Sequence, residues 1–424
     1  LLREAERLTL ELDAVHDHAR VAAALAHTVW RLARLDEAIE LAQDAFDVLA
    51  ADEPDADVAA LAAQLGRLQH FANNPSEAAR WTETALDVGE DLRLPAVISS
   101  ALNTKSLIVR NHRHESEALL RKALAIALDN DLVPEALRAY NNLFVLLASW
   151  DREEEAFALI PDALALARRR GDRFWEVQLV TGLVEEALSR GDWEDALRHG
   201  AQVALSDHKQ DSDLGVTLAR IHLERGERDE ARRQLAALVD DVETNDVQLR
   251  NLALGRRRLT AELEGRYTDA LAAVADALFD SSDLMPAQSV ADALRDAATY
   301  ATLSGDHDAA LEVGAKIDEL SAAIRSRAVE SQLHRIRANA AASRGDGEAA
   351  SDAYAVALAH GRSLGFPIWL APVLFDYGVW LQSEGRIEEA APLLVEAREM
   401  FERMGAIVWL ERLDTLAPTA AMSV

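Results

Sequence analysis

Three columns of small residues, recurring every 35 to 40 positions from end to end, constrain this chain more than any other feature. The phrase "SEGRIEEAAPLLVEA" near the end returns as "SRGDGEAASDAYAVA", "LSGDHDAALEVGAKI", "LEGRYTDALAAVADA", "ERGERDEARRQLAAL" and "SRGDWEDALRHGAQV", and then in looser form back to "ARLDEAIELAQDA". Aligned, these phrases place Ala at 38, 78, 118, 156, 196, 231, 270, 310, 350 and 390. A second Ala follows seven residues later at Ala45, Ala85, Ala125, Ala163, Ala277, Ala357 and Ala397. Five residues before the first Ala, the last six units carry Gly191, Gly226, Gly265, Gly305, Gly345 and Gly385. Self-similarity at such a period is the signature of a stacked repeat array.

Each column has a packing reason. Two Ala seven apart lie on one helix face, where only a small side chain lets a paired helix approach closely. The glycines fall where a first helix must end, and a left-handed residue satisfies its last carbonyls. Pro95, Pro134, Pro286 and Pro367 sit at nearly one phase of the repeat, about where the next first helix starts, and Pro is welcome in a first helical turn. Ala, Leu, Glu and Arg dominate and alternating β-branched runs are missing, so the chain is predicted to be all-α. About ten antiparallel helix pairs are expected over residues 16–407. Residues 1–15 read as the tail of a preceding repeat, because Ala5 lies 40 residues before Ala45. Residues 408–424 read as a capping helix and tail.

The small–Leu–Gly turns, followed by "xEA" with Ala seven later, resemble the tetratricopeptide repeat over essentially the whole chain. The resemblance implies a right-handed superhelical solenoid whose first helices line a concave face. The usual period is about 34 residues, and here it is longer; the Leu-Gly pair of the family survives best as Tyr377-Gly378. The closing phrase "FERMGAIVWLERLDTL" (Phe401 to Leu416) resembles the terminal phrase of repeat regions in large bacterial signalling ATPases. One such group carries a class III nucleotide cyclase domain, and the other, the maltose-activator-like regulators, a helix-turn-helix DNA-binding domain. That resemblance implies a sensory repeat region relaying a ligand or partner to an ATPase. Opening in mid-repeat, the chain is expected to be a fragment of a longer protein, and the cyclase-linked group is the favoured parent. A free-standing assembly scaffold is the further alternative.

Composition narrows the chemistry. A formal charge of −29 argues against a nucleic-acid or anionic-membrane surface. Without cysteine there is no disulfide or thiolate metal site, which fits the cytoplasm. No apolar run approaches a membrane span of roughly 20 residues. None of Lys105, Lys122, Lys209 and Lys316 follows a glycine, so no phosphate-binding Gly-Lys-Ser/Thr loop exists in this chain. No Gly-x-Ser-x-Gly elbow or His-Glu-x-x-His motif is present. No catalytic residue, cofactor or metal is expected. His112 and His114 in "NHRHES" read as turn residues, and His16 and His18, too close for one helix face, read as exposed. The tryptophans read as packing; Trp193 holds the aromatic position two after the turn glycine, as Tyr267 does.

The binding face is predicted by counting back 18, 15, 11 and 8 residues from each reference Ala. This reaches Arg67, Asn103, Arg110, Arg138, Asn141, Gln178, Thr181 and Arg220, and beyond them Arg20, His27, His70, Glu185, Glu262, Arg295, Gln332, Arg335, Asn339 and Gln382. Arginines outnumber acids in this set although acids dominate the chain. One reading is a groove for a protein or peptide partner with acidic groups, or for a small anionic ligand. The other is that these arginines pair with acids elsewhere on the chain and bridge neighbouring repeats.

Overall fold

The computed structural model describes residues 2–12, 14–31, 34–49, 54–203, 209–238, 247–281, 287–319 and 325–416. These contain twenty-three helices and no strand. In order they are α1 (Leu2–Glu11), α2 (Val15–Arg31), α3 (Leu35–Leu49), α4 (Ala56–Phe71), α5 (Pro75–Asp91), α6 (Pro95–Ile108), α7 (Arg113–Asp129), α8 (Val133–Ala148), α9 (Glu153–Phe157), α10 (Ile160–Arg170), α11 (Arg173–Arg190) and α12 (Trp193–Gly200). There follow α13 (Lys209–Glu224), α14 (Arg228–Ala236), α15 (Val247–Leu263), α16 (Tyr267–Ser281), α17 (Ala287–Ser304), α18 (His307–Asp318), α19 (Arg327–Ser343), α20 (Gly347–Leu364), α21 (Pro367–Ser383), α22 (Ile387–Met404) and α23 (Ile407–Thr415). The residues from 417 onward, at the end of the expected capping segment, lie outside the described ones.

Two compact units divide the chain. Unit 1 comprises Leu1–Leu146, Ala158–Glu176 and Asp241–Arg250; unit 2 comprises Leu147–Phe157, Val177–Asp240 and Asn251–Val424. Within unit 1, α4 packs on α5, α5 on α6, and the first helices α2, α4 and α6 pack on one another in sequence. Unit 2 repeats the pattern with α17, α19 and α21 as successive first helices and α18, α20 and α22 as their partners. Each pair thus touches its neighbours, which is how a tetratricopeptide-like solenoid is built.

The reference alanines carry these contacts: Ala38, Ala78, Ala156, Ala196, Ala270, Ala350 and Ala390 are fully buried, as are Ala85, Ala357 and Ala397. The third unit is an exception. Ala118 and Ala125 are exposed, and Ser116 and Ala123 occupy the buried positions instead. The true spacing is two residues shorter there, because α6 ends at Ile108 and α7 starts at Arg113 without the usual left-handed residue. Close approach at the Leu-Gly column is plain at Gly378, where a Cβ would meet Leu394 at 2.7 Å, and at Gly66, where it would meet Thr82 Oγ1 at 2.6 Å. Leu65-Gly66 is therefore an intact copy of the pair, a better match than Tyr377-Gly378, where the sequence suggested it survives best.

The six turn glycines all have positive φ. In the earlier units the same position is held by Asn73 (φ 58°) and Asp151 (φ 57°), two residue types that tolerate the left-handed region. Pro95 and Pro367 open α6 and α21, and Pro134 is the second residue of α8; Pro286 lies outside the described residues. Arg93, after α5, is also left-handed (φ 55°) and has no such tolerance. Arg93→Gly is expected to stabilise the chain by about 1 kcal/mol, read as a higher urea midpoint at constant m-value; an unchanged or lower midpoint contradicts the strain.

Candidate ligand-binding site

In unit 1, neighbouring first helices bring together a set of donors with few acceptors. Arg67 of α4 lies over the Trp30 ring of α2, 4.7 Å from its centroid. Trp30 is in turn stacked on Phe71 at 5.1 Å, so the platform under the guanidinium is fixed. Arg138 of α8 reaches back to α6, where Nη1 donates to Ser100 Oγ (3.2 Å) and Nη2 to Thr104 Oγ1 (2.8 Å). These partners are hydroxyls, which orient a guanidinium without neutralising it.

The electrostatics show the imbalance. Burial pushes the Arg67 guanidinium down to about 10, opposed by the carboxylate of Glu135. Arg138 falls well below its ordinary range through burial and then through the charge of Arg67, with Glu135 again opposing. Burial, followed by the charges of Arg110 and Arg138, pushes His70 down to about 4. At neutral pH His70 is therefore uncharged. Folding costs stability through this group as pH falls from its ordinary 6.5 toward 4, because only the unfolded chain accepts the proton in that window.

Unsatisfied donors point the same way. Trp30 Nε1, Arg67 Nε and Asn103 Nδ2 are buried with no hydrogen-bond partner in the protein. Asn103 is fully buried and its Oδ1 accepts from Asn142 Nδ2 at 2.9 Å, which fixes the orientation of its amide. An orphaned buried donor costs about 1–3 kcal/mol. An anion offers acceptors and negative charge together, so this arrangement suits one.

Unit 2 is built differently. Its arginines face acids of their own unit. Arg220 (6% exposed) pairs with Asp292 at 2.9 Å, and Asp292 also accepts from Trp369 Nε1 at 3.0 Å. Arg295 donates to Glu224 (2.6 Å) and to Asp296 (3.0 Å); Glu224 accepts from Trp409 Nε1 of α23 at 2.7 Å, and Arg258 pairs with Asp296. Arg335, fully buried, binds Asp376 at 2.8 Å, and Tyr300 donates to Glu262 at 2.6 Å. The cavity among Arg220, Glu224, Arg258 and Arg295 measures about 20 Å³, room for about one water.

Acids exceed bases around Glu185 of unit 2. Burial, then Asp213 and Asp292, raise its carboxyl to about 8 against the opposing charge of Arg220. A carboxyl raised in the folded state binds its proton there but not in the unfolded chain, so stability falls as pH rises from 4.5 to about 8. Glu185→Gln is expected to flatten that decline, so that thermal midpoints at pH 5.5 and pH 9 draw together by roughly the lost linkage. An unchanged gap between the two midpoints contradicts the raised carboxyl.

The predicted residues separate accordingly. Arg67, Asn103 and Arg138 share the unit 1 cluster, with Asn141 half-buried beside Asn142 on α8 and Arg110 in the turn after α6. Asn103 and Arg110 were reached from Ala118, whose register is two residues off. Gln178, Thr181 and Arg220 belong to unit 2; Thr181 is buried and its hydroxyl donates to Val177 O within α11, and Arg220 is committed to Asp292. Gln332 and Asn339 are likewise tied to Trp369 O and Asp376. The count missed Trp30, although it lies eight residues before Ala38, and it passed over Asp213 and Asp292, each 18 before a reference Ala.

Residues 187–253 match the tetratricopeptide-repeat family profile. No curated protein sequence matches the chain. Among solved structures, the human IFIT1 dimer with m7Gppp-AAAA is 14% identical with a TM-score of 0.48, over 98% of this chain and 95% of that one. The apo form of the quorum sensor NprR from B. thuringiensis is 12% identical with a TM-score of 0.43, over 93% and 99%. A Rap protein complexed with Competence and Sporulation Factor is 11% identical with a TM-score of 0.43, over 92% and 99%. No helix among the described residues is long and apolar enough to cross a membrane.

Proposed function

We propose that this chain is a non-catalytic, cytoplasmic binding scaffold, and that the unit 1 cluster around Arg67 and Arg138 receives an anionic group presented by a protein or peptide partner. The observation that carries this reading is a cationic cluster with orphaned donors inside an otherwise acidic chain. Unpaired buried cations are costly and persist where a ligand supplies the missing charge.

The test is calorimetric titration of a six-residue Asp/Glu peptide, and of its Asn/Gln counterpart, into the intact chain. The acidic peptide is expected to bind, and Arg138→Gln to weaken it at least about tenfold, the share of one charged hydrogen bond. Equal binding of the neutral peptide contradicts the proposal.

The wider setting proposed is the sensory region of a multidomain ATP-dependent signalling regulator, with a nucleotide cyclase as its output. The Phe401–Leu416 phrase supports it. The same phrase fits a transcriptional activator bearing a DNA-binding domain, and reading the gene on both sides decides between them. A Gly-Lys-Ser/Thr loop upstream is expected, and an uninterrupted gene without one leaves the stand-alone scaffold.

A further inference from the structure

A second cluster lies at the other end of the helices that carry Trp30 and Arg67. His16 stands in the first turn of α2, Asp55 immediately precedes α4, and Asp57 is in its first turn. His16 Nδ1 lies 3.3 Å from Asp55 Oδ2 and 3.5 Å from Asp57 Oδ2. One ligand atom from each residue falls within 4.8 Å of the other two. In a tetrahedral site with metal–ligand bonds near 2.1 Å, neighbouring ligand atoms stand roughly 3.4 Å apart. The separations from His16 Nδ1 to the two carboxylates match that edge.

The remaining oxygens are held from behind. Asp55 Oδ1 accepts from the backbone N–H groups of Asp57 and Val58, both at 3.0 Å. Asp57 Oδ1 accepts from Arg20 Nε at 3.2 Å. Each carboxylate is thereby turned so that Oδ2 faces His16, which is the outer-shell arrangement that orients metal ligands. A neutral imidazole carries one proton at most on Nδ1 and can satisfy only one of two facing carboxylate oxygens. A cation shared by all three atoms satisfies both. Arg20 supplies one positive charge against two carboxylates, so the local balance still favours a cation.

We propose that His16, Asp55 and Asp57 form a three-ligand site for a divalent transition-metal ion of the zinc class, with water completing the tetrahedron. One nitrogen and two carboxylate oxygens suit such an ion. The ligands come from two successive first helices, so the ion clips α2 to α4. Trp30 and Arg67 lie roughly 20 Å along those helices, and the clip fixes the crossing on which their stacking depends. The site is separate from the anion cluster and stands or falls independently of it. His16 and His18 read in the sequence as exposed, with no metal role; the carboxylates that meet His16 lie about 40 positions away, beyond any local motif.

The experiment is titration of zinc chloride into the metal-stripped intact chain, with cobalt(II) as a spectroscopic substitute. One equivalent of zinc is expected to bind and raise the thermal midpoint. Affinity should fall at least tenfold in both His16→Ala and Asp57→Asn, and cobalt(II) should give the visible band of a tetrahedral site that both variants lose. Because His16 is half exposed, its variant is expected to fold, and retained far-UV helicity checks this. His18→Ala serves as the control and should bind as the parent does. No zinc binding, or binding unchanged in both variants, overturns the proposal.

Discussion

Arg335→Ala is expected to destabilise the chain by about 3–5 kcal/mol, the usual cost of leaving one member of a buried ion pair behind. Arg335 is fully buried, and its Nε donates to Asp376 at 2.8 Å. Its other nitrogens donate to Arg295 O and Thr299 Oγ1, each at 3.2 Å, so one side chain ties α17, α19 and α21 together. Truncation leaves Asp376, itself only 8% exposed, held by the amide of Asn339 but with its countercharge gone. Equilibrium urea unfolding followed by tryptophan fluorescence reads the loss. The double variant Arg335→Met with Asp376→Leu should recover most of it, because replacing a buried pair by packed apolar groups is often neutral or better. A single variant within about 1 kcal/mol of the parent contradicts the buried pair, since surface changes fall in that range.

Arg67→Met is expected to act in the opposite sense on stability while weakening binding. Methionine keeps the apolar stem and can lie on the Trp30 ring, but it removes a buried charge whose Nε has no partner. Stability should rise by about 1–2 kcal/mol, the cost of an unsatisfied buried donor. Affinity for the acidic hexapeptide should fall roughly 10- to 100-fold, as for the loss of one charged hydrogen bond. A residue that weakens the free protein and strengthens the complex marks a binding site rather than a packing element. Loss of stability together with unchanged affinity contradicts this assignment.

Much of the architecture was legible because small residues at helix contacts admit no substitute. A larger side chain at Ala38 or Ala390 forces the pair apart, so the columns survive where little else does. The glycine column was only half visible. Asn73 and Asp151 do the same work through a left-handed backbone that Gly, Asn and Asp share, so a search for glycine alone passes over them. The slip at Ala118 has a similar origin: α6 and α7 meet through a turn lacking the left-handed residue, and two nearby alanines offered a false register.

The division of the arginines could not be read from the chain. Arg67 and Arg220 stand at the same count from their reference alanines, eleven residues before Ala78 and Ala231. Yet Arg220 meets Asp292 from 72 residues away, and Arg67 meets an indole face instead. Whether a cation is neutralised depends on which distant helix packs against it, and periodicity within one repeat carries no such information. Trp30 shows the converse. Its position was within reach of the count, but an aromatic at a helix interface reads as packing until a guanidinium is found above it.

The most direct test of an anion site in unit 1 is the pKa of His70, followed by NMR of histidine-labelled chain with and without the acidic hexapeptide. Alone, His70 should titrate near 4, held down by burial and then by the positive charges of Arg110 and Arg138. With peptide bound it should rise by at least about one unit, since a nearby negative charge favours the imidazolium. By linkage the peptide then binds more tightly as pH falls through the raised value toward 4, provided its own carboxylates remain ionised. A His70 that titrates at its ordinary 6.5 in the free protein, or one that saturating peptide leaves unmoved, would show that no unbalanced positive cluster awaits an anion there.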